Sequence, residues 1–399
     1  MNGITSLSLL DLKFISLLAL IGCLRVFCPA RYNWHFGLCA TVAVIGWAAP
    51  MTLLVIGGIT ICYLYPLQCL MRVSEAKQWP AEIRRSLLPC GIVGLVLLLV
   101  IFKLERHFTL PWIGEPKLQS KIVALIGFSY FIFRAISFLH IQSLLKFSDT
   151  SPLPLLFYAL FPSTITSGPI QKYQDFRQQL ASPVSLTFGT LGEAGYRITR
   201  GYFRKVVVAV LLNEAAGKML AITRPTVWVS IITITLFYLF FYYDFAGYSD
   251  VAIGFGLLLG IRVPENFRKP FQATTVAEFW RNWHITLADW FRDQMFIPLG
   301  GMRAGRVRAS IIAASIMILC GLWHGITLSF LAWGLWHGLI LATEALSGTK
   351  PVAPARRVGV GYWLRVLWTN ARVAFGAVFF LPYDSIRHLL GGFANFGQL

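Results

Sequence analysis

Between residues 36 and 71 no side chain carries a charge. A helix needs about 20 consecutive apolar residues to cross the hydrocarbon core of a bilayer. The run is long enough for two such segments, with a break expected near Pro50, because proline interrupts the helical hydrogen-bond ladder. Composition points the same way. The chain is 56% hydrophobic and 13% charged, where a soluble domain carries roughly 25% charged residues. Its 399 residues would allow two or three soluble domains by length alone, but the hydropathy indicates one polytopic membrane domain.

Further apolar stretches cover residues 87–102, 122–145, 153–170, 206–222, 226–243, 251–261, 309–323, 326–343 and 362–381. Several are short or interrupted by Gly, Pro and charge. The expectation is an all-α polytopic membrane protein of about ten to twelve membrane-embedded helices, some re-entrant, since irregular backbone at membrane depth survives only inside protein or along a cavity. The first apolar stretch contains Asp11, Lys13 and Arg25 and lacks a small-residue cleavage site, so it reads as a retained helix rather than a cleaved signal.

The net charge is +18, and the cations gather in connecting segments. Arg72, Lys77, Arg84 and Arg85 form one group; Arg303, Arg306 and Arg308 form another with no acid nearby. Such loops normally face the cytoplasm and touch anionic lipid; a second reading is that some receive an acidic cytosolic partner. A nucleic-acid partner is not expected, because the basic residues punctuate apolar spans and build no separate domain. The seven cysteines form no CxxC pair, so neither a zinc site nor a disulfide framework is signalled.

No internal repeat is evident. Pro162, Gly168 and Pro169 break the segment LFPSTITSGPI, and a cation-rich stretch follows it. From Tyr238 onward polar groups enter the apolar runs. Asp244 directly follows an uncharged span, where an ionisable group is costly and usually faces an interior or a cavity. Ser249 and Asp250 precede the apolar stretch 251–261. Asp250 reads either as a helix cap or ion-pair partner, or as a group near a reaction centre.

The stretch VAEFWRNWHITLADWFRDQMF has the spacing of an amphipathic helix. Thr274 or Thr275 can cap it, with Glu278 supplying the return bond of a capping box. Trp280, Trp283, His284, Leu287, Trp290 and Phe291 then fall on one face, with Arg281, Asp289, Arg292 and Asp293 mostly displaced from it. A Trp-rich face of this kind can lie at a bilayer interface, with the histidine merely structural. His324 and His337 each stand within Trp-His-Gly inside apolar segments. An imidazole in such surroundings is expected to be neutral, as a general base must be. His337 reads equally well as a hydrogen bond between helices. Gly321, Gly325, Gly334 and Gly338 permit close helix approach.

Taken together, FYYDFAGYSDVAIGFG, ENFRKPFQATTVAEFWRNWHITLADWFRDQMFIPLGG and the two Trp-His-Gly sites closely resemble the membrane-bound O-acyltransferases, in the bacterial branch of alginate O-acetyltransferases and D-alanyl transfer proteins. LFPSTITSGPI and FRAISF fit weaker segments upstream. The match spans roughly residues 120–345. The resemblance implies a ring of membrane helices around a funnel or tunnel: residues 1–121 as N-terminal membrane helices, 122–345 as catalytic core and 346–399 as C-terminal helix or helices.

It also implies His324 as the buried catalytic histidine and His284 as the second family histidine, with Trp280, Trp283, Asp289, Asp244, Ser249, Asp250 and Trp323 lining or supporting the substrate tunnel. No metal is implied. The donor would be an acyl thioester, acetyl-CoA or a phosphopantetheinyl carrier protein, entering from the cytoplasmic side of a bacterial inner membrane. The acceptor would be a hydroxyl of an envelope polymer, or a periplasmic or extracellular acyltransferase that finishes the transfer. The rival readings are an acyl conduit without chemistry of its own, and a transporter with a histidine proton relay; the latter predicts inverted repeats.

Overall fold

The computed structural model describes residues 20–22, 24, 25, 27, 28, 32–105, 127–145 and 151–394. Asp11 and Lys13 lie outside these residues. The described elements are helical, apart from one isolated bridge between Phe267 and Trp283. Four helices are long and apolar enough to cross a membrane: Pro50–Ala76, Ala81–Leu104, Val227–Leu258 and Arg306–His324. The break at Pro50 is present. Helix α1 (Asn33–Ala48) ends at Ala49, and α2 (Pro50–Ala76) opens with the proline in its first turn, where the missing N–H costs nothing.

The chain forms two compact units. The first holds the described residues up to Arg200 together with Tyr248–Pro264. Besides α1 and α2 it contains α3 (Ala81–Glu105), α4 (Phe128–Leu145), α5 (Leu153–Leu160), α6 (Tyr173–Ala181) and most of α7 (Phe188–Tyr202). Its core includes the rings of Phe138, Phe157, Tyr158, Phe161, Tyr173 and Phe176. Helix α5 stops before Pro162, as its sequence requires. Arg134 of α4, fully enclosed, donates to the carbonyls of Tyr158 and Ala159 at 2.9 Å each. A cation at a helix C-terminus satisfies carbonyls that have no partner within the helix.

Also in this unit, Asp250 is buried and receives Arg197 at 2.8 Å and Arg200 through two nitrogens. The ion-pair reading of Asp250 therefore holds and the cap reading does not. Asp250 sits well inside a 32-residue helix, α9 (Val227–Leu258), rather than ahead of a new one. At 1.5 Å per residue α9 is about 48 Å long, more than the roughly 30 Å hydrocarbon core requires. Ser249, beside it, is buried.

The second unit holds Gly201–Gly247 and the described residues from Glu265 onward. It contains α8 (Ala209–Leu220), the first part of α9, two short helices α10 (Val276–Asn282) and α11 (Ile285–Phe291), the hairpin of α12 (Arg306–His324) and α13 (Leu328–Ser347), and α14 (Val360–Ala377) and α15 (Tyr383–Ala394). The α12–α13 hairpin is zipped by glycine. A Cβ on Gly334 would lie 2.7 Å from Ile318 Cα and Met317 O, and one on Gly338 would lie 3.1 Å from Ala314 Cα. A Cβ on Gly321 would collide with the carbonyl of Phe330. The close approach expected of these glycines is therefore realised.

Candidate active site

The stretch expected to form one helix forms two. Thr275 caps α10, its hydroxyl accepting from the N–H of Glu278 at 3.0 Å. The Glu278 carboxylate returns to the N–H and hydroxyl of Thr274 at 2.8 and 2.9 Å, shifting the capping box back by one residue. Glu344 of α13 accepts the N–H groups of Val276 and Ala277, each at 2.9 Å. Arg357 and Arg372 neutralise Glu278 and Glu344. These bonds anchor the start of α10.

The helix then breaks at Trp283, which is extended, and His284, whose φ of 45° and ψ of 51° are left-handed. The cause lies 18 residues upstream. The carbonyl of Asn266 accepts the N–H of Ile285 at 3.0 Å, and Arg268 donates its N–H to the Asn282 carbonyl at 3.0 Å. Phe267 bridges Trp283 between them. Tertiary bonds thus outcompete helix continuation, at a cost of order 1–3 kcal/mol for the left-handed histidine. The expected single aromatic face is split: Trp280 belongs to α10, Trp283 and His284 to the break, and Leu287, Trp290 and Phe291 to α11.

His284 is buried edge-on against Phe245, with ring centroids 4.6 Å apart. Its Nδ1 meets Asn266 Oδ1 at 3.4 Å. His284 stands outside the four apolar spans. Burial lowers its pKa from the ordinary imidazole value, and the nearby His324 acts in the same direction, so it is neutral at pH 7.

His324 is the last residue of α12, followed by extended Gly325. It is half-buried rather than fully enclosed, because the helix ends there. Its ring neighbours are Trp323 at 4.6 Å, Phe380 at 5.0 Å, Trp333 at 5.5 Å and Phe330 at 5.8 Å. Thr327 caps the returning helix through the N–H of Phe330 at 3.3 Å.

The structure thus brings His284, His324, Trp280, Trp283 and Trp323 into one unit. Trp283 stacks on Phe279 at 5.3 Å, and Trp280 meets Trp333 at 5.6 Å. Asp244, in the same unit, pairs with Lys205, and Asp289 pairs with its helical neighbour Arg292; both are accounted for as ion pairs. Ser249 and Asp250 belong to the other unit. His337 is buried between the rings of Trp280 at 5.1 Å and Trp333 at 4.9 Å. Its Nδ1 has no hydrogen-bond partner among the described residues.

The family profile of membrane-bound O-acyltransferases matches residues 86–368. The chain belongs to that family. Its relatives include a "probable alginate O-acetylase" of Pseudomonas syringae pv. tomato, 35% identical over 59% of this chain and 46% of the relative. A peptidoglycan O-acetyltransferase of Helicobacter pylori is 28% identical over 72% of this chain and 59% of the relative. A teichoic acid D-alanyltransferase of Bacillus subtilis is 26% identical over 69% and 72%. The chain spans about half the length of the alginate O-acetylase relatives it matches. With four membrane-length apolar helices and no named strand among the described residues, this member of the family is an all-α, multi-pass membrane protein.

Sequence reasoning did not single out Asn266, Phe245, Phe330, Trp333, Phe380 or Glu344. Trp333 stands four residues before His337, one helical turn, which is a usable signal. Asn266 and Phe380 reach the site only through tertiary contact, which a local pattern does not register.

Proposed function

We propose that the chain transfers an activated acyl group, acetyl or D-alanyl, from a thioester to a hydroxyl of a cell-envelope polymer at the bacterial cytoplasmic membrane. The observation that carries this reading is the pair of imidazoles, a half-buried His324 within an aromatic enclosure and a buried His284 near enough to feel its charge. Family membership and the names of the relatives support it.

In this reading His324, the more accessible of the two, is the general base. The acceptor oxygen attacks the thioester carbonyl carbon while His324 takes the hydroxyl proton. The tetrahedral intermediate collapses with cleavage of the C–S bond, and the departing thiolate takes up the proton. Base catalysis of this kind contributes typically 10²–10⁴-fold. Trp323, Phe330, Trp333 and Phe380 exclude water, which would hydrolyse the thioester. Trp280 and Trp283 line or buttress the approach to His284. Nothing in the scheme calls on a metal.

The donor is acetyl-CoA or an acidic phosphopantetheinyl carrier protein on the cytoplasmic side, where basic loops such as Arg303–Arg308 offer charge complementarity. The acceptor is an exopolysaccharide, a lipopolysaccharide or a teichoic-acid-like polymer, reached directly or through a periplasmic or extracellular partner. Purified protein in nanodiscs is incubated with acetyl-CoA or with carrier-bound D-alanine, together with a polymer acceptor. Turnover with one donor that disappears in His324→Ala is expected. Acyl delivery that persists in a folded His324→Ala protein would overturn the assignment and favour a conduit.

A further inference from the structure

The environment of Asn266 decides which nitrogen of His284 carries the proton. Asn266 is fully buried. Its side-chain Oδ1 accepts from the Thr286 hydroxyl at 2.7 Å and from the Thr286 backbone N–H at 3.4 Å, and meets His284 Nδ1 at 3.4 Å. A backbone N–H can only donate, and so can the amide nitrogen of asparagine. The contact with Thr286 N–H therefore fixes the amide with its oxygen, and not its nitrogen, towards residues 284–286. The atom of His284 that meets this oxygen must in turn be a donor.

We infer that Asn266 is a positioning residue that holds neutral His284 with the proton on Nδ1, leaving Nε2 as a lone-pair acceptor. The main chain of Asn266 serves the same end. Its carbonyl takes the N–H of Ile285, so one residue pins the left-handed turn and the ring orientation together. A histidine whose second nitrogen is engaged by a fixed acceptor has both its tautomer and its direction set.

The chemical consequence rests on the acyltransfer reading. A neutral His284 in this tautomer meets a substrate as an acceptor. It can take a hydrogen bond, or a proton, from the attacking hydroxyl or from another donor through Nε2. It cannot donate to the developing carbonyl oxyanion from that nitrogen. Orientation of the acceptor hydroxyl is then the role of His284, beside proton removal by His324. Holding a catalytic imidazole in the wrong tautomer can cost up to about 10⁴-fold, and loss of an orienting partner about 10–100-fold.

The test separates tautomer from activity. Protein labelled with ¹⁵N in its seven histidines is placed in nanodiscs near neutral pH without any acyl donor. The His284 signals are identified by their loss in His284→Gln. The expected spectrum has a protonated Nδ1 and a bare Nε2; a protonated Nε2 in the wild type overturns the inference whether or not the chain is an acyltransferase. Asn266→Asp keeps an accepting oxygen and should keep the signature. Asn266→Leu should lose it and lower turnover by about 10- to 10⁴-fold. If Asn266→Leu does not fold, the Asp variant decides: a bare Nδ1 in folded Asn266→Asp counts against Asn266 as the determinant. A folded Leu variant with unaltered signature does the same.

Discussion

Glu344 accepts the backbone N–H of Val276 at 2.9 Å, joining the last turn of α13 to the first turn of α10. The other oxygen takes Ala277 N–H, and Arg372 balances the charge. An anion at a helix N-terminus satisfies free amides and complements the helix dipole. Glu344→Gln retains shape and one acceptor, so its cost should be about 1–2 kcal/mol. Glu344→Leu strands both amides and Arg372, and should cost about 3–5 kcal/mol. Thermal unfolding in detergent checks the order; equal losses for the two variants would show that the carboxylate contributes no more than volume.

The glycine seam makes a sharper demand. A methyl at Gly334 would meet backbone atoms of Met317 and Ile318, which cannot rotate away. Gly334→Ala should therefore lower stability by about 1–3 kcal/mol through overpacking. Gly361, with open space around its Cβ direction, should tolerate alanine in the same unfolding assay. Reversal of that order would contradict the close packing of α12 on α13.

His284 links stability to pH. The unfolded imidazole takes up a proton near pH 6.5, whereas burial keeps the folded one neutral well below that. The unfolded state thus binds more protons in that range. The His284 contribution is fully present above about pH 6.5 and is lost progressively as pH falls. Unfolding midpoints followed from about pH 8 to about pH 5 should decline less steeply in His284→Gln than in wild type. Parallel curves would mean that the ring is hydrated. The acid limb of any pH–activity profile should, by the same reasoning, belong to a group other than His284.

Asp250 should behave as structure. Removing it leaves Arg197 and Arg200 facing each other with no carboxylate between them, a loss of about 3 kcal/mol or more. Asp250→Ala should reduce the yield and unfolding midpoint of the protein, while the fraction that folds retains most of its turnover. A well-folded Asp250→Ala protein devoid of activity would place the carboxylate among the reacting groups instead.

Much of this was legible in the residues. The uncharged run announced a membrane-length helix, though one and not two among the described residues, Pro50 marked the break before it, and the spacing of Gly321, Gly334 and Gly338 announced close packing. Thr275 and Glu278 announced the beginning of α10. The interruption at Trp283 and His284 was not legible, because every local signal there favours helix. The winning bonds come from Asn266, which carries no pattern of its own. Asp250 shows the same limit, since its arginines stand 50 and 53 residues away in sequence. Local periodicity reports what a segment can become, and distant partners decide among the options.

The hairpin that turns just after His324 also bears on how such a protein could change its substrate. Gly321, Gly334 and Gly338 hold the two helices backbone to backbone, so the main chain at His324 is fixed by helix packing, whatever rings surround its imidazole. Phe330, Trp333 and Phe380 are in that sense replaceable panels on a rigid frame. In the proposed acyltransfer, trimming or enlarging them would redraw the space offered to an acyl chain while the backbone that carries the imidazole stays where it is. A lineage, or a designer, could move from a two-carbon group to a bulkier one by repainting side chains alone, and leave the frame untouched.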